Sequence, residues 1–232
     1  LPPLNFNFDN ATLYDVTNTY EIQPHSDLKE IALGVDGDVK LVQYGSSASI
    51  NLGNNYFTPY SFTLSFDYKT EETAANRMLV STASDTDHGS DVPGFHIRIY
   101  GNTLYFGVQK STTANDHYLM MQHGDAIDVS NYDLSKYNHF IFKFTHSYNH
   151  TEGDKNNLEV YINNNLVGSK DAENGSLTQE ERSAGIEYTN PNKLYLNKWR
   201  NNRVGANSYY DNIRFYREAL TIEAMNEIFG DI

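Results

Sequence analysis

The sequence predicts an all-β chain: a two-sheet antiparallel β-sandwich of jelly-roll type with one short C-terminal helix. Three observations predict it. The first is residues 140–168, FIFKFTHSYNHTEGDKNNLEVYINNNLVGS. Here Phe140, Phe142 and Phe144 alternate with Ile141, Lys143 and Thr145, and Leu158, Val160 and Ile162 alternate with Glu159, Tyr161 and Asn163. Period 2 sends each apolar set to one face of a pleated strand. The second is strand–turn–strand spacing along the whole chain without helical crossovers, which implies two sheets packed face to face. The third is 18 Tyr against a single Trp, since Tyr suits half-buried strands where its ring is covered and its hydroxyl stays wet.

The elements follow in order. LNFNF (4–8) opens the chain as a strand, with Leu4, Phe6 and Phe8 on one face. YDVTNTYEI (14–22) is polar and turn-like. Asp36-Gly37-Asp38 turns the chain into a strand ending near residue 44, and SASIN begins another. YSFTLSFDYKT (60–70) is regular, with Phe62, Leu64, Phe66 and Tyr68 opposite Thr63, Ser65, Asp67 and Lys69. MLVST (78–82) is short and apolar, as in a strand buried on both faces. FHIRIY, Gly101-Asn102 and TLYFGVQ form a tight hairpin. Residues 111–135 are irregular apart from a brief strand at Tyr118. Residues 145–157 read as an exposed loop within the 140–168 meander, and Asn163-Asn164-Asn165 as a tight turn, because Asn tolerates positive φ. KLYLNKW (193–199) and YYDNIRFYREAL (209–220) are the last strands, making about a dozen in all. Thr221 is the N-cap of the helix, Leu220 and Met225 staple its start, and Gly230 stops it, with Ile222, Met225 and Phe229 expected to face inward. One domain over residues 1–232 is the economical organisation.

Composition excludes several functions. The net charge of −13 opposes nucleic acid, whose affinity depends on Lys and Arg neutralising phosphates. No stretch approaches the ~20 apolar residues of a membrane span. With no cysteine, disulfides, thiol catalysis and Cys-based zinc sites are excluded. No signal peptide is present, and the start at Leu1-Pro2-Pro3 reads as a mature or an artificially cut boundary, either of which is compatible with a removed signal.

The segments LNFNFDN, SFTLSFDYKT, GFHIRIYGNTLYFGVQ, HFIFKFTH, LEVYINNNLVGS, LYLNKW and YYDNIRFYREALTIEAMNEI, in that order, cover most of the chain. Together they resemble the concanavalin A-like lectin/glucanase superfamily in its laminin G-like branch. The closing piece is the most specific, carrying Asp211, Arg214, Phe215, Tyr216, Arg217, Ala219, Leu220 and Glu223 where members have an Asp, an Arg-aromatic pair and an "R-A-L-x-x-E" tail. The "Y-I-N-N-N-L-V-G" hairpin is the second diagnostic. The family's Gly-rich first loop is present only as Asp15-Val16-Thr17-Asn18-Thr19.

The resemblance implies a structural Ca²⁺ at Asp211, with Asp15 and Asp36 in the segments expected beside it. Calcium takes six to eight such oxygens. It also implies a secreted or surface-displayed bacterial protein that recognises glycans. On FHIRIY, period 2 puts His96, Arg98 and Tyr100 together opposite the core. With Asp67, Lys69, Lys143, Glu159 and Tyr161 on the polar faces of their own strands, these would form an aromatic-edged groove if the strands share one sheet. Trp199, followed by Arg200, Asn201, Asn202 and Arg203, is the loop candidate. A glycan or polysaccharide is therefore the expected partner, through His96, Arg98, Tyr100, Tyr161, Trp199 and Arg203, with a surface protein as the alternative. An enzyme is the other alternative, a lyase using His96, Arg98 and Tyr161. The flanking "Q-I-H" and "Y-F-K-x-G-x-Y" lyase motifs are absent, as is the hydrolase "E-x-D-x-x-E", so no catalytic residue is assigned.

Overall fold

A computed structural model describes residues 4–6, 21–24, 31–33, 39–41, 48–52, 61–71, 76–82, 94–109, 117–120, 126–149, 153–171, 193–199, 202–203 and 208–232. Among them, two eight-stranded antiparallel sheets form a β-sandwich. The first sheet runs β14 (Asn165–Asp171), β13 (Gly153–Ile162), β12 (Asn138–Asn149), β6 (Phe62–Thr70), β18 (Ser208–Tyr216), β4 (Val39–Leu41) and β3 (Ile31–Leu33). In it, β1 (Leu4–Phe6) also pairs with β18. The second runs β10 (His117–Met120), β9 (Thr103–Gln109), β8 (Gly94–Tyr100), β7 (Asn76–Ser81), β15 (Lys193–Leu196), β5 (Ala48–Asn51) and β2 (Ile22–Pro24). There β11 (Ile127–Asp128) pairs with β9. A small ribbon joins β16 (Lys198–Trp199) to β17 (Asn202–Arg203).

The meander expected at 140–168 is β12–β13–β14, with Phe140 opposite Ile162 and Phe144 opposite Leu158. Asn163 (φ 49°) and Asn164 (φ 65°) make its tight turn, and Gly101 (φ 58°) makes that of β8–β9. Two expectations need correction. Residues 145–157 are not all loop, because pairing continues from Thr145–Asn157 out to Asn149–Gly153. A backbone ladder needs no apolar side chains once two long strands are in register. The short strands β2, β3, β11 and β17 are also additional to the dozen expected. Two or three residues show no period.

The core lies between the sheets and is aromatic. Phe62 on β6 packs 4.6 Å from Phe95 on β8, and Phe106 on β9 lies 5.3 Å from Phe142 on β12. The Tyr210 hydroxyl crosses the sandwich to donate to the Leu79 carbonyl at 2.8 Å. Burial drives its pKa well above the ordinary phenol value.

On the outer face of β6, Thr63 and Ser65 are fully buried. The chain leaving β18 crosses Thr63. Thr63 Oγ1 donates to the Glu218 carbonyl and accepts from the Leu220 N–H, each at 2.9 Å. Helix α1 (Ile222–Phe229) follows. Thr221 caps it, accepting from the Ala224 N–H at 3.2 Å, and Gly230 (φ 88°) ends it. Glu223 in the first turn has its carboxyl held below the usual range, first by a backbone N–H and then by the Thr221 hydroxyl. Met225 and Leu220 form a second apolar cluster with Ile141 and Tyr161 on the outside of the first sheet. Ile222, expected inward, is instead 42% exposed. Met225 and the neighbouring Ala224 and Ile228 define the packed side of the helix.

Candidate functional site

On β8, Phe95, Ile97 and Ile99 enter the core, so His96, Arg98 and Tyr100 face out together as the alternation requires. Their cross-strand partners on β9 are Gly107, Tyr105 and Thr103. Gly107 is the reason the His96 ring can lie flat on the sheet: a Cβ there would stand 2.5 Å from His96 Cε1. The Arg98 guanidinium carbon sits 4.8 Å from the centre of the Tyr105 ring, a cation–π contact that holds both groups. Tyr100 ends the row, 56% exposed. The result is one stripe on the outer face of the second sheet: an imidazole, a guanidinium stacked on a phenol, and an open aromatic ring.

Of the other sequence candidates, Tyr161 lies away from this stripe, on the first sheet. The groove shared by β6, β8, β12 and β13 is corrected, because β8 belongs to the second sheet and the other three to the first. Outward faces of sheets packed face to face point in opposite directions. Tyr161 lies on β13 beneath α1, 2% exposed, and its hydroxyl donates to Glu159 Oε1 at 3.4 Å. Glu159 Oε2 in turn meets Lys143 Nζ at 2.6 Å. Burial first, and the Glu159 charge second, push the Tyr161 pKa up to about 12. His96, Arg98 and Tyr161 therefore do not converge on one point as a lyase trio must. Trp199 pairs with Asn202, and Lys198 with Arg203, through the backbone of the β16–β17 ribbon. The side chains of Trp199 and Arg203, and the whole of Asp15 and Asp36, lie outside the described residues. Asp211 Oδ1 accepts from the Asn212 N–H at 2.7 Å. Among the described residues no three His, Asp or Glu side chains gather closely enough to hold a metal. Three aspartates are nonetheless the hard oxygen donors that calcium takes.

A concave site was missed in the sequence. It is a pocket of about 430 Å³ on the outer face of the first sheet, at the C-terminal end of α1. His139 on β12 stands opposite Asp67 on β6, and their side chains meet, Nδ1 to Oδ1, at 2.5 Å. An ionised carboxylate can only accept, so Nδ1 carries the proton, an assignment made from the network. Asn212 Nδ2 donates to Asp67 Oδ2 at 2.7 Å. Asn212 reaches it because β18 bulges between Asp211 and Arg214, where Asn212 adopts φ 48°. The Asn163 side chain accepts from the His139 N–H at 2.9 Å, pinning the hairpin turn to β12. Asn164 Nδ2 donates to the Phe229 carbonyl at 3.3 Å, and Arg214 Nη1 to the Ile228 carbonyl at 3.4 Å. Together they bond two of the carbonyls left open at the end of the helix.

No protein-family model matches the sequence, and no curated protein is similar to it. Solved structures share its fold. They include HCR/D-Sa-GBL1/C (14% identical, TM-score 0.65) and the binding domain of botulinum neurotoxin DC in complex with rat synaptotagmin II (16%, 0.63). The receptor binding domain of botulinum neurotoxin D is a third (15%, 0.64). Each match covers 97% of this chain and 50–51% of the other. The chain thus spans about half the length of these β-sandwich-bearing receptor-binding domains.

Proposed function

We propose that the chain is a non-catalytic recognition module of a secreted or surface-displayed protein, in the laminin G-like branch of the concanavalin A-like fold. In this reading it binds a glycan through His96, Arg98 and Tyr100. The observation that carries the proposal is the stripe itself. Sugars are held by an aromatic ring against their C–H face and by planar polar groups on adjacent hydroxyls, and the stripe offers one exposed Tyr beside a stacked Arg and a His. The neighbours add support at the level of ligand class. One is a binding domain in complex with SialylT, and another is described by cell entry that depends on two ganglioside molecules. Since the chain spans about half of each, those partners enter here as a class, a glycan, and not as named molecules.

Tyr100→Ala is expected to weaken glycan binding roughly five- to tenfold, the value of about 1 kcal/mol or more of aromatic contact, while leaving the melting temperature in place. A glycan array followed by titration calorimetry reads this. An array on which nothing binds, or binding indifferent to Tyr100, sinks the proposal. The second reading, a protein partner, is favoured by the neighbour held with synaptotagmin, and a blank glycan array would move weight to it.

A structural Ca²⁺ on Asp211, Asp15 and Asp36 belongs to the same proposal. Added Ca²⁺ after EDTA treatment is expected to raise the melting temperature by mass action, and Asp211→Ala to abolish the rise. No rise in the unaltered protein removes the metal from the proposal.

A further inference from the structure

We propose that the pocket between the β13–β14 turn, the β18 bulge and the C-terminal end of α1 is a second binding site, for an uncharged sugar ring. It shares no residue with the β8 stripe and does not rest on it.

Three features carry the inference. The first is charge balance. The lining holds one carboxylate, Asp67, and one guanidinium, Arg214, and both oxygens of Asp67 are already engaged, by His139 and Asn212. Such a lining discriminates against ions of either sign, and the carbonyls at the end of α1 further disfavour an anion. The second is an incomplete polar network. His139 Nε2 and Arg214 Nε are both buried with no hydrogen-bond partner. With the Nδ1 hydrogen directed at Asp67, Nε2 accepts in the imidazole form and donates in the imidazolium form, while Arg214 Nε is a donor. Buried groups left unpaired are costly, and a half-satisfied network is more costly than none. A sugar's hydroxyls, each of which donates and accepts, can meet the need of either nitrogen. The third is shape. The Phe229 ring packs 5.4 Å from the His139 ring and 5.8 Å from the Arg214 guanidinium carbon. It supplies an apolar surface for the C–H face of a sugar, beside the planar amides of Asn164 and Asn212. A volume of about 430 Å³ lies in the range of small-ligand sites. Because Phe229 stands against both unpaired nitrogens, a sugar that reaches them must shift that ring.

The test is an NMR titration of the whole chain with galactose and glucose, and with glucuronic acid and inorganic phosphate as charged probes. The expected result is saturable movement of the Asn164 and Asn212 side-chain amides and of the Phe229 ring with a neutral hexose. The charged probes should leave these signals in place at the same concentrations. Asn212→Gly, which keeps the positive φ and removes the amide, is expected to weaken the hexose at least fivefold. Shifts confined to β8, equal response to charged and neutral probes, or no saturable response to either hexose would overturn the proposal. The unaltered protein decides this even if Asn212→Gly folds poorly. Failure of the stripe is read at His96, Arg98 and Tyr100, so the two sites fail separately.

Discussion

Phe62→Ala is expected to lower the unfolding free energy by about 3–5 kcal/mol, with no change in denaturant slope. Phe62 is fully buried and is a keystone of the sandwich. Its ring lies 5.9 Å from Phe144 on β12 and 5.5 Å from Phe215 on β18, its neighbours in the first sheet. Across the core it lies 4.6 Å from Phe95 on β8 and 6.2 Å from Phe106 on β9. Truncation removes the transfer free energy of the ring and leaves a cavity that two rigid sheets cannot close. It also forfeits several aromatic pairs, each worth about 0.5–1.5 kcal/mol beyond area. Since a domain holds only about 5–15 kcal/mol in reserve, this is a large share of the whole. Urea unfolding measures it, with Phe62→Leu as the milder control. A loss below about 1 kcal/mol would mean that the sheets do not pack through this ring.

The alternation that puts Phe62 inward was legible in the sequence, and so were the directions of Phe95 and Phe144. Period 2 gives the face of each residue within its own strand, and it did so for β6, β8, β12 and β13. It does not give the sheet to which a strand belongs, which is set by pairing between residues far apart in sequence. His96 and Tyr161 therefore read alike, as outward polar residues, yet lie on opposite outer faces of the sandwich. Alternation likewise puts Thr63 and Ser65 opposite the core without showing that both are fully buried. The path of residues 218–220 covers Thr63. The pocket was hidden because its polar side chains come from four separated places, β6, β12, the β13–β14 turn and β18, with no motif among them. One signal for it did exist. Tyr210 and Ile213 are both in the core although they stand three apart. Alternation cannot place them on one face without an extra residue, and that residue is the bulge that carries Asn212 to Asp67. Ile222 misled because a helix of eight residues has few turns with which to define its buried face.

Thr63→Val is expected to detach the C-terminal segment at a cost of about 1–3 kcal/mol, although the substitution barely changes side-chain volume. The hydroxyl serves both the Glu218 carbonyl and the Leu220 N–H, and valine would leave a buried donor and acceptor unpaired. Leu220 and Met225 anchor α1 only to a small outer cluster, separate from the main core, so the loss should fall on that segment. Hydrogen exchange in residues 220–229 is expected to accelerate roughly tenfold or more, while β8 and β9 keep their protection. Thr63→Ser, which retains the hydroxyl, should behave much more like the parent. Because Phe229 is the last residue of α1 and a wall of the pocket, the same variant should weaken neutral-hexose binding there without touching the β8 stripe. Equal loss of protection in α1 and in β8 would show instead that the segment opens only with the whole sandwich. Its link to the pocket would then be one of global stability and not of local docking.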